Sequence, residues 1–304
     1  MTRSAGPSLP ARQESLLALV HALGGTVGNL DFQKLLFLYC MEAEPTPYDF
    51  VPYKFGAFSF ASYQDRRTLT ARGLIDDDDR AWTLTTAGRR AGEHLLEEHE
   101  AISEFARRHR RLRGDALVAE SYRRHPYYAT RSETAARLLA ADPEALQRIA
   151  SMRPQTGSRS LMTIGYEGRT LEGYLNAVLK AGGTILCDVR RNPLSRKYGF
   201  SKKTLANACA GVGIRYEHLP ELGIASEQRR NLNTDADYAA LFAQYTRDAL
   251  PNQTPALEIV RDWVGQGERV VLTCFERSPD RCHRHCVADE LGRRFGVRFA
   301  PEHL

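Results

Sequence analysis

The hydrophobic positions change period along the chain. From Glu14 to about Met152 they recur at helical spacing; after Ser160 they gather into short continuous runs. In the first half, Glu14–Leu23 and Asp31–Glu42 predict helices, the second with Asp31 as its N-cap. Tyr53–Phe55 predicts a short strand and Ser59–Arg72 a helix stopped by Gly73. Leu74-Ile75, the acidic run Asp76–Asp79 and Trp82–Thr85 then lead into another helix from Thr86. Residues 91–150 read as helical throughout, with a last helix starting at Asp142-Pro143-Glu144.

The second half alternates strands with helices. Strands are expected at Leu161–Tyr166, Thr184–Val189, Ile214–Leu219, Arg269–Cys274 and Val297–Ala300. Helices are expected at Thr170–Ala181, Ser201–Val212, Asp235–Leu250, Pro255–Gln266 and Cys282–Phe295. Continuous apolar strands between helices imply a mainly parallel sheet covered on both faces, an α/β domain. The expected organisation is a disordered tail at 1–12, a mostly helical domain at 13–98, a helical extension at 99–152, a linker at 153–159 and the α/β domain at 160–304.

Composition adds bounds to this picture. The 304 residues are 42% hydrophobic and 26% charged, ordinary for a globular protein. No stretch suits a membrane helix and the N-terminus lacks a secretory apolar core, so a cytoplasmic chain with no membrane contact is expected. The six cysteines are then reduced. The net charge of +5 is mild, but basic residues cluster at Phe105–Arg113, at Arg123–His125 and from Arg190 to Lys203. Clustering favours a polyanionic partner more than the sum does. Phe105–Arg113 reads equally as a solvated helix face.

Ligands of parallel sheets bind beyond the carboxyl ends of the strands. The four longer strands end in Tyr166-Glu167, in Asp188-Val189-Arg190-Arg191, in His218 and in Cys274-Phe275-Glu276, the last followed by Cys282-His283-Arg284. A carboxylate pair, Glu276 with Asp188 or with Glu167, suits general acid–base work. Cys282 beside His283 at a helix N-terminus suits a thiolate, and Tyr166 completes the set. Arg190, Arg191, Asn192, Arg196, Lys197, Lys202, Arg284 and His218 are candidate contacts to an anion or a phosphate backbone. The alternatives are a structural Asp188–Arg190 ion pair on a solvated loop, and carboxylates spent on orienting arginines. The cysteine spacing lacks C-x-x-C, so no metal ligands are assigned; no cofactor is required by sequence, and a divalent metal stays open.

Two resemblances sharpen these expectations. TIGYEGRT, DVRRNPLSRKYGFSKKTL, GIRYEHLPELG and LTCFERSPDRCHR resemble, in order, the DUF488 family over about residues 160–300. That resemblance implies a Rossmann-like α/β fold and a residue cluster, not a reaction. Many members carry His-Ser where Tyr166-Glu167 stands, so a proposal built on that serine does not transfer. The pattern of RGLI, WTLT and TAGRRAGEHL over roughly residues 14–98 resembles a winged helix, and residues 32–65 also resemble the Panacea (SocA-like) domain of toxin and phage-defence genes. A winged helix implies DNA binding, with Arg66, Arg67 and Arg72 placed for phosphates. The Asp76–Asp79 run would repel phosphates at the wing, which fits a protein-docking or homodimerising module instead. Together these imply a nucleic-acid-processing enzyme of DNA repair or phage defence, acting on DNA rather than RNA and hydrolysing an N-glycosidic or phosphoester bond. The alternative is a non-enzymatic DNA-binding regulator whose α/β domain senses a small anion.

Overall fold

A computed structural model describes residues 9–43, 45–109, 111–154, 160–229, 232–296 and 299–304. The chain forms two compact units, Met1–Arg153 and Pro154–Leu304. The expected linker 153–159 falls largely on residues outside those described. Of the expected disordered tail, residues 1–8 lie outside the described residues, while Ala11 and Arg12 already belong to a helix.

The first unit is mostly helical. Its helices are α1 (Ala11–Ala22), α2 (Asn29–Glu42), α3 (Phe60–Ala71), α4 (Thr86–Glu97), α5 (Glu100–His109), α6 (Gly114–Arg124), α7 (Ala135–Leu138) and α8 (Pro143–Ser151). Strands β1 (Thr26–Gly28) and β4 (Ala81–Thr83) pair antiparallel, as do β2 (Val51–Tyr53) and β3 (Gly56–Phe58). Of the single strand expected at Tyr53–Phe55, Tyr53 ends β2 and Lys54-Phe55 form the turn of a hairpin. Phe32 to Cys40 on α2 are all buried, so this helix is enclosed on every side rather than laid on a surface. Asp31 is not its N-cap: the helix begins two residues earlier, and the Asp31 carboxylate instead accepts from the Gly114 amide at 2.8 Å.

Arg66 is also reassigned. It is buried, lies over the Trp82 ring at 5.2 Å, and donates to the carbonyls of Ala81 and Asp78 and to Asn29. A guanidinium spent on carbonyls across the β4 approach is not available to a phosphate.

The second unit holds a five-stranded sheet of β5 (Leu161–Gly165), β6 (Ile185–Asp188), β7 (Arg215–His218), β8 (Val270–Cys274) and β9 (Glu302–His303), in the order β7-β6-β8-β5-β9. Every pairing is parallel. Of the strand expected at Val297–Ala300, residues 297 and 298 lie outside the described residues; the fifth strand of the sheet is Glu302–His303. It is a two-residue exposed edge strand, so it carries no apolar run to betray it. Helices α9 (Leu171–Lys180), α10 (Lys202–Gly211), α11 (Asp235–Gln244), α12 (Thr254–Gly265) and α13 (Arg284–Phe295) cover the sheet.

Side chains alternate across a strand, and this sorts the sheet faces. Leu161, Cys187, Leu272 and Cys274 join one apolar cluster with α11, α12 and α13. Thr273 faces the other way and accepts from the Tyr174 hydroxyl of α9 at 2.7 Å. The register aligns Gly165 with Cys274, and Asp188 with both Thr273 and His218, so the carboxyl ends form one level edge.

Candidate functional site

The carboxyl edge carries two residue clusters, one toward each face of the sheet. Asp188 and Arg190 are two residues apart and so point the same way. The Asp188 carboxylate is fully buried. It accepts from Arg190 Nε at 2.8 Å, from Arg190 Nη2 at 2.5 Å, from the Arg190 amide at 3.1 Å and from the Tyr216 hydroxyl at 2.6 Å. The remaining Arg190 donor, Nη1, reaches the Tyr166 hydroxyl at 3.0 Å and the Phe200 carbonyl at 2.9 Å. Burial works against the charge on Arg190, but the Asp188 carboxylate overrides it and holds the guanidinium above its ordinary range. Tyr166 stacks on Phe200, with ring centroids 4.3 Å apart.

This first cluster corrects three expectations. Asp188 has its lone pairs occupied by protein donors and is not free for acid–base work. Arg190 is not free for an anion, and Tyr166 is a buried support beneath it. The structural alternative weighed for the Asp188–Arg190 pair is the one the geometry carries. What the pair fixes is the loop after β6: Arg190 ties the strand end to Phe200 at the far side of that loop.

The second cluster faces α13. Cys274, Cys282 and His283 are buried, and their ligating atoms lie within 4.8 Å of one another. Glu276 joins them through an Oε2 contact to the Cys274 thiol at 3.4 Å. Its other oxygen is ion-paired with Arg229. Burial alone would raise the Glu276 carboxyl; Arg229 and a contact from the Cys282 thiol more than offset it, so the group is held below the ordinary carboxylate range. His283 Nε2 lies 2.9 Å from the Val189 carbonyl, which makes Nε2 the N–H and leaves Nδ1 facing Cys274 at 3.7 Å.

The thiolate expected at Cys282 is not supported. The helix begins at Arg284, so Cys282 precedes it in the turn after Pro279–Arg281. Burial pushes its thiol well above the usual range, and the neighbouring Cys274 adds to this. Arg284 is buried too, donating to the Glu276 carbonyl at 2.5 Å, the Arg277 carbonyl at 2.9 Å and Thr163 Oγ1 at 3.3 Å. It holds the 276–277 turn against the sheet and is withdrawn from anion contact.

Glu167 is exposed, and its carboxylate accepts from the Arg277 amide at 2.9 Å. Each of the three carboxylates considered for a pair is thus held by its own partner: Asp188 by Arg190, Glu276 by Arg229 and Glu167 by a backbone amide. The strand ends meet because Gly165 has no side chain. A Cβ there would stand 1.8 Å from the Glu276 carbonyl oxygen. Gly165→Ala should push the 276–277 turn outward and cost about 1–3 kcal/mol. Thermal denaturation checks this; an unchanged midpoint would mean that the turn yields freely.

The remaining expected anion contacts are on the surface. Residues 190–203 contain six cations and no carboxylate. With Arg190 buried, Arg191, Arg196, Lys202 and Lys203 are exposed. Lys197 is half-buried, with Nζ 3.1 Å from the Tyr166 carbonyl, and burial lowers its pKa. Asn192 is exposed beside them. His218 accepts from Lys202 at Nδ1, 3.0 Å, and donates from Nε2 to the Arg190 carbonyl at 2.9 Å, so it props the loop from below. Leu194, Tyr198 and Phe275 are exposed along the same edge, at 75%, 39% and 43%.

Arg229, Tyr216 and Phe200 belong to these clusters without having been expected there. Arg229 ends a short 3₁₀ turn, Ser226–Arg229, in a polar stretch with no period to orient it. Tyr216 stands on a strand whose alternation did offer a signal, since it pairs beside Leu186 and so shares the Asp188 face.

Residues 170–291 match the family model described as domain of unknown function DUF488. The match starts after β5, so Tyr166 and Glu167 lie outside it. No curated protein and no solved structure matches the chain. Among the described residues, no helix is long and apolar enough to cross a membrane.

Proposed function

We propose that this chain, whose C-terminal unit carries a DUF488 domain, is a nucleic-acid-processing hydrolase that holds a phosphate backbone along the carboxyl edge of its sheet. The observation that carries the reading is the loop after β6. Its exposed cations, Arg191, Arg196, Lys202 and Lys203, stand beside the exposed rings of Tyr198 and Phe275. Cations tracking a backbone with aromatic faces beside them suit single-stranded nucleic acid, where bases stack and phosphates pair. The buried Asp188–Arg190 pair gives that loop a fixed base.

Glu276 is the chemical group of this reading. It is ionised, partly accessible and beside Arg229. An ionised carboxylate takes the proton of an attacking water, while the neighbouring guanidinium suits the charge that develops on a phosphoryl oxygen. The first unit would serve as the docking module, for DNA or a protein partner. Repair or defence in the cytoplasm is the setting this reading implies.

A second reading has one observation in its favour. The saturated Asp188 removes the second member of an acid–base pair, which suits a non-enzymatic DNA-binding regulator with an anion-sensing domain. Labelled single- and double-stranded DNA and RNA, incubated with wild type and with Glu276→Gln, separate the two. The hydrolase reading expects product from wild type, none from the variant, and equal binding by both. Binding without product on any strand would leave only the regulator. In parallel, Arg196→Glu with Lys203→Glu should weaken binding across sequences and lower the salt slope by about two. An unchanged slope would place the nucleic acid elsewhere.

A further inference from the structure

The structure assigns a zinc-binding site to Cys274, Cys282 and His283 at the carboxyl end of β8. This goes beyond the nucleic-acid reading and does not depend on it.

Spacing along the chain hides the site. Cys274 ends a strand and Cys282-His283 follow a turn, so no short cysteine motif joins them. In space, two thiols and one imidazole nitrogen converge within 4.8 Å. A thiolate about 2.3 Å and an imidazole nitrogen about 2.0–2.1 Å from a tetrahedral zinc stand about 3.6 Å apart. The Cys274 sulfur and His283 Nδ1 are 3.7 Å apart without any metal to gather them.

The imidazole is also prepared. His283 Nε2 donates to the Val189 carbonyl, which fixes the ring and leaves the Nδ1 lone pair aimed at the thiols. A ligating histidine whose other nitrogen is tied to a carbonyl is the usual outer-shell arrangement of zinc sites. Without a metal, the group is poorly matched. Two buried thiols face the Nδ1 acceptor of a buried imidazole, and a weak S–H donor is little compensation for burying it.

Charge favours the same assignment. Two thiolates neutralise a divalent ion, and Glu276 is neutralised by Arg229. A filled site would therefore bury no net charge. Thiolate ligands select zinc over magnesium or calcium, which prefer oxygen. Three protein ligands leave a fourth position, and Glu276 touches the Cys274 thiol, so a carboxylate stands close by.

The test uses the full chain, purified without metal-affinity resin or chelator. Elemental analysis should find about one zinc per chain. Cobalt(II) added to chelator-stripped protein should give the intense visible bands of a tetrahedral site and a thiolate-to-cobalt band in the near ultraviolet, both abolished by competing zinc. Cys282→Ser should lose both readouts, whereas Cys286→Ser, outside the cluster, should keep them. If Cys282→Ser does not fold, the wild-type cobalt titration and zinc competition still decide. Native protein free of metal together with a featureless cobalt titration would overturn the site. So would iron or copper in place of zinc, or a cobalt spectrum that survives in folded Cys282→Ser.

Discussion

Asp188→Asn should destabilise the C-terminal unit by about 3–5 kcal/mol, more than any surface change nearby, because it strands a buried charge. Arg190 is about as enclosed as its partner, with side-chain exposures of 6% and 0%. Asparagine keeps the shape and one acceptor oxygen but leaves the guanidinium without a counter-charge. It also presents an amide where Arg190 or Tyr216 now donates. Denaturant unfolding of the full chain reads this, with the half-buried Trp263 reporting the C-terminal unit and the buried Trp82 the other. The Trp263 transition should shift while the Trp82 transition stays. Adding Arg190→Met to Asp188→Asn should recover part of the loss, since removing both charges is far cheaper than removing one. If Asp188→Asn unfolds like wild type yet stops catalysis, Asp188 is a catalytic group and its role as a structural anchor is wrong.

That outcome bears on what the sequence could reveal. The strands β5 to β8 were legible because a parallel strand covered on both faces is a continuous apolar run, and their ends were legible because polar residues interrupt those runs at one level. Which of those polar residues turn inward was not. Asp188, Arg190, Arg191 and Arg196 look alike in a charged stretch. Only the alternation of β6, carried two residues past its end, puts Asp188 and Arg190 on one face and closes them on each other. Arg284 likewise reads as a surface cation, but Thr163 and two carbonyls of the 276–277 turn absorb its donors. Arg229 was illegible for a stronger reason. It comes from a short turn far along the chain, and its pairing with Glu276 depends on tertiary closure alone. Cys274 and His283 stand nine residues apart, a spacing that is uninformative until the turn after β8 folds back on the strand.

The N-terminal unit holds the second large effect, at Lys34. This lysine sits in the enclosed helix α2 with 2% exposure, and its Nζ donates to the Ala57 carbonyl at 2.8 Å. Among the described residues no carboxylate forms an ion pair with it. A cavity of about 250 Å³ beside it is lined chiefly by apolar groups, among them Leu30, Tyr53, Phe55 and Phe58. Burial lowers the amine from 10.5 to about 7. The folded unit therefore loses its proton near pH 7, whereas the unfolded chain keeps it up to about 10.5. Between those values the unfolded chain binds more protons, so stability rises with pH. The penalty is absent above the unfolded value and complete once pH falls below the folded one. Lys34→Met removes the ionisable group at similar length. It should stabilise the Trp82 transition by about 2–4 kcal/mol at pH 7, after allowing for the lost bond to Ala57. The gain should shrink steadily toward pH 10, where methionine should be slightly the worse residue, because the Ala57 carbonyl then lacks its donor. A difference between the two proteins that stays flat from pH 6 to 10 would show that the amine remains charged in the fold, with water or an anion reaching it through the cavity.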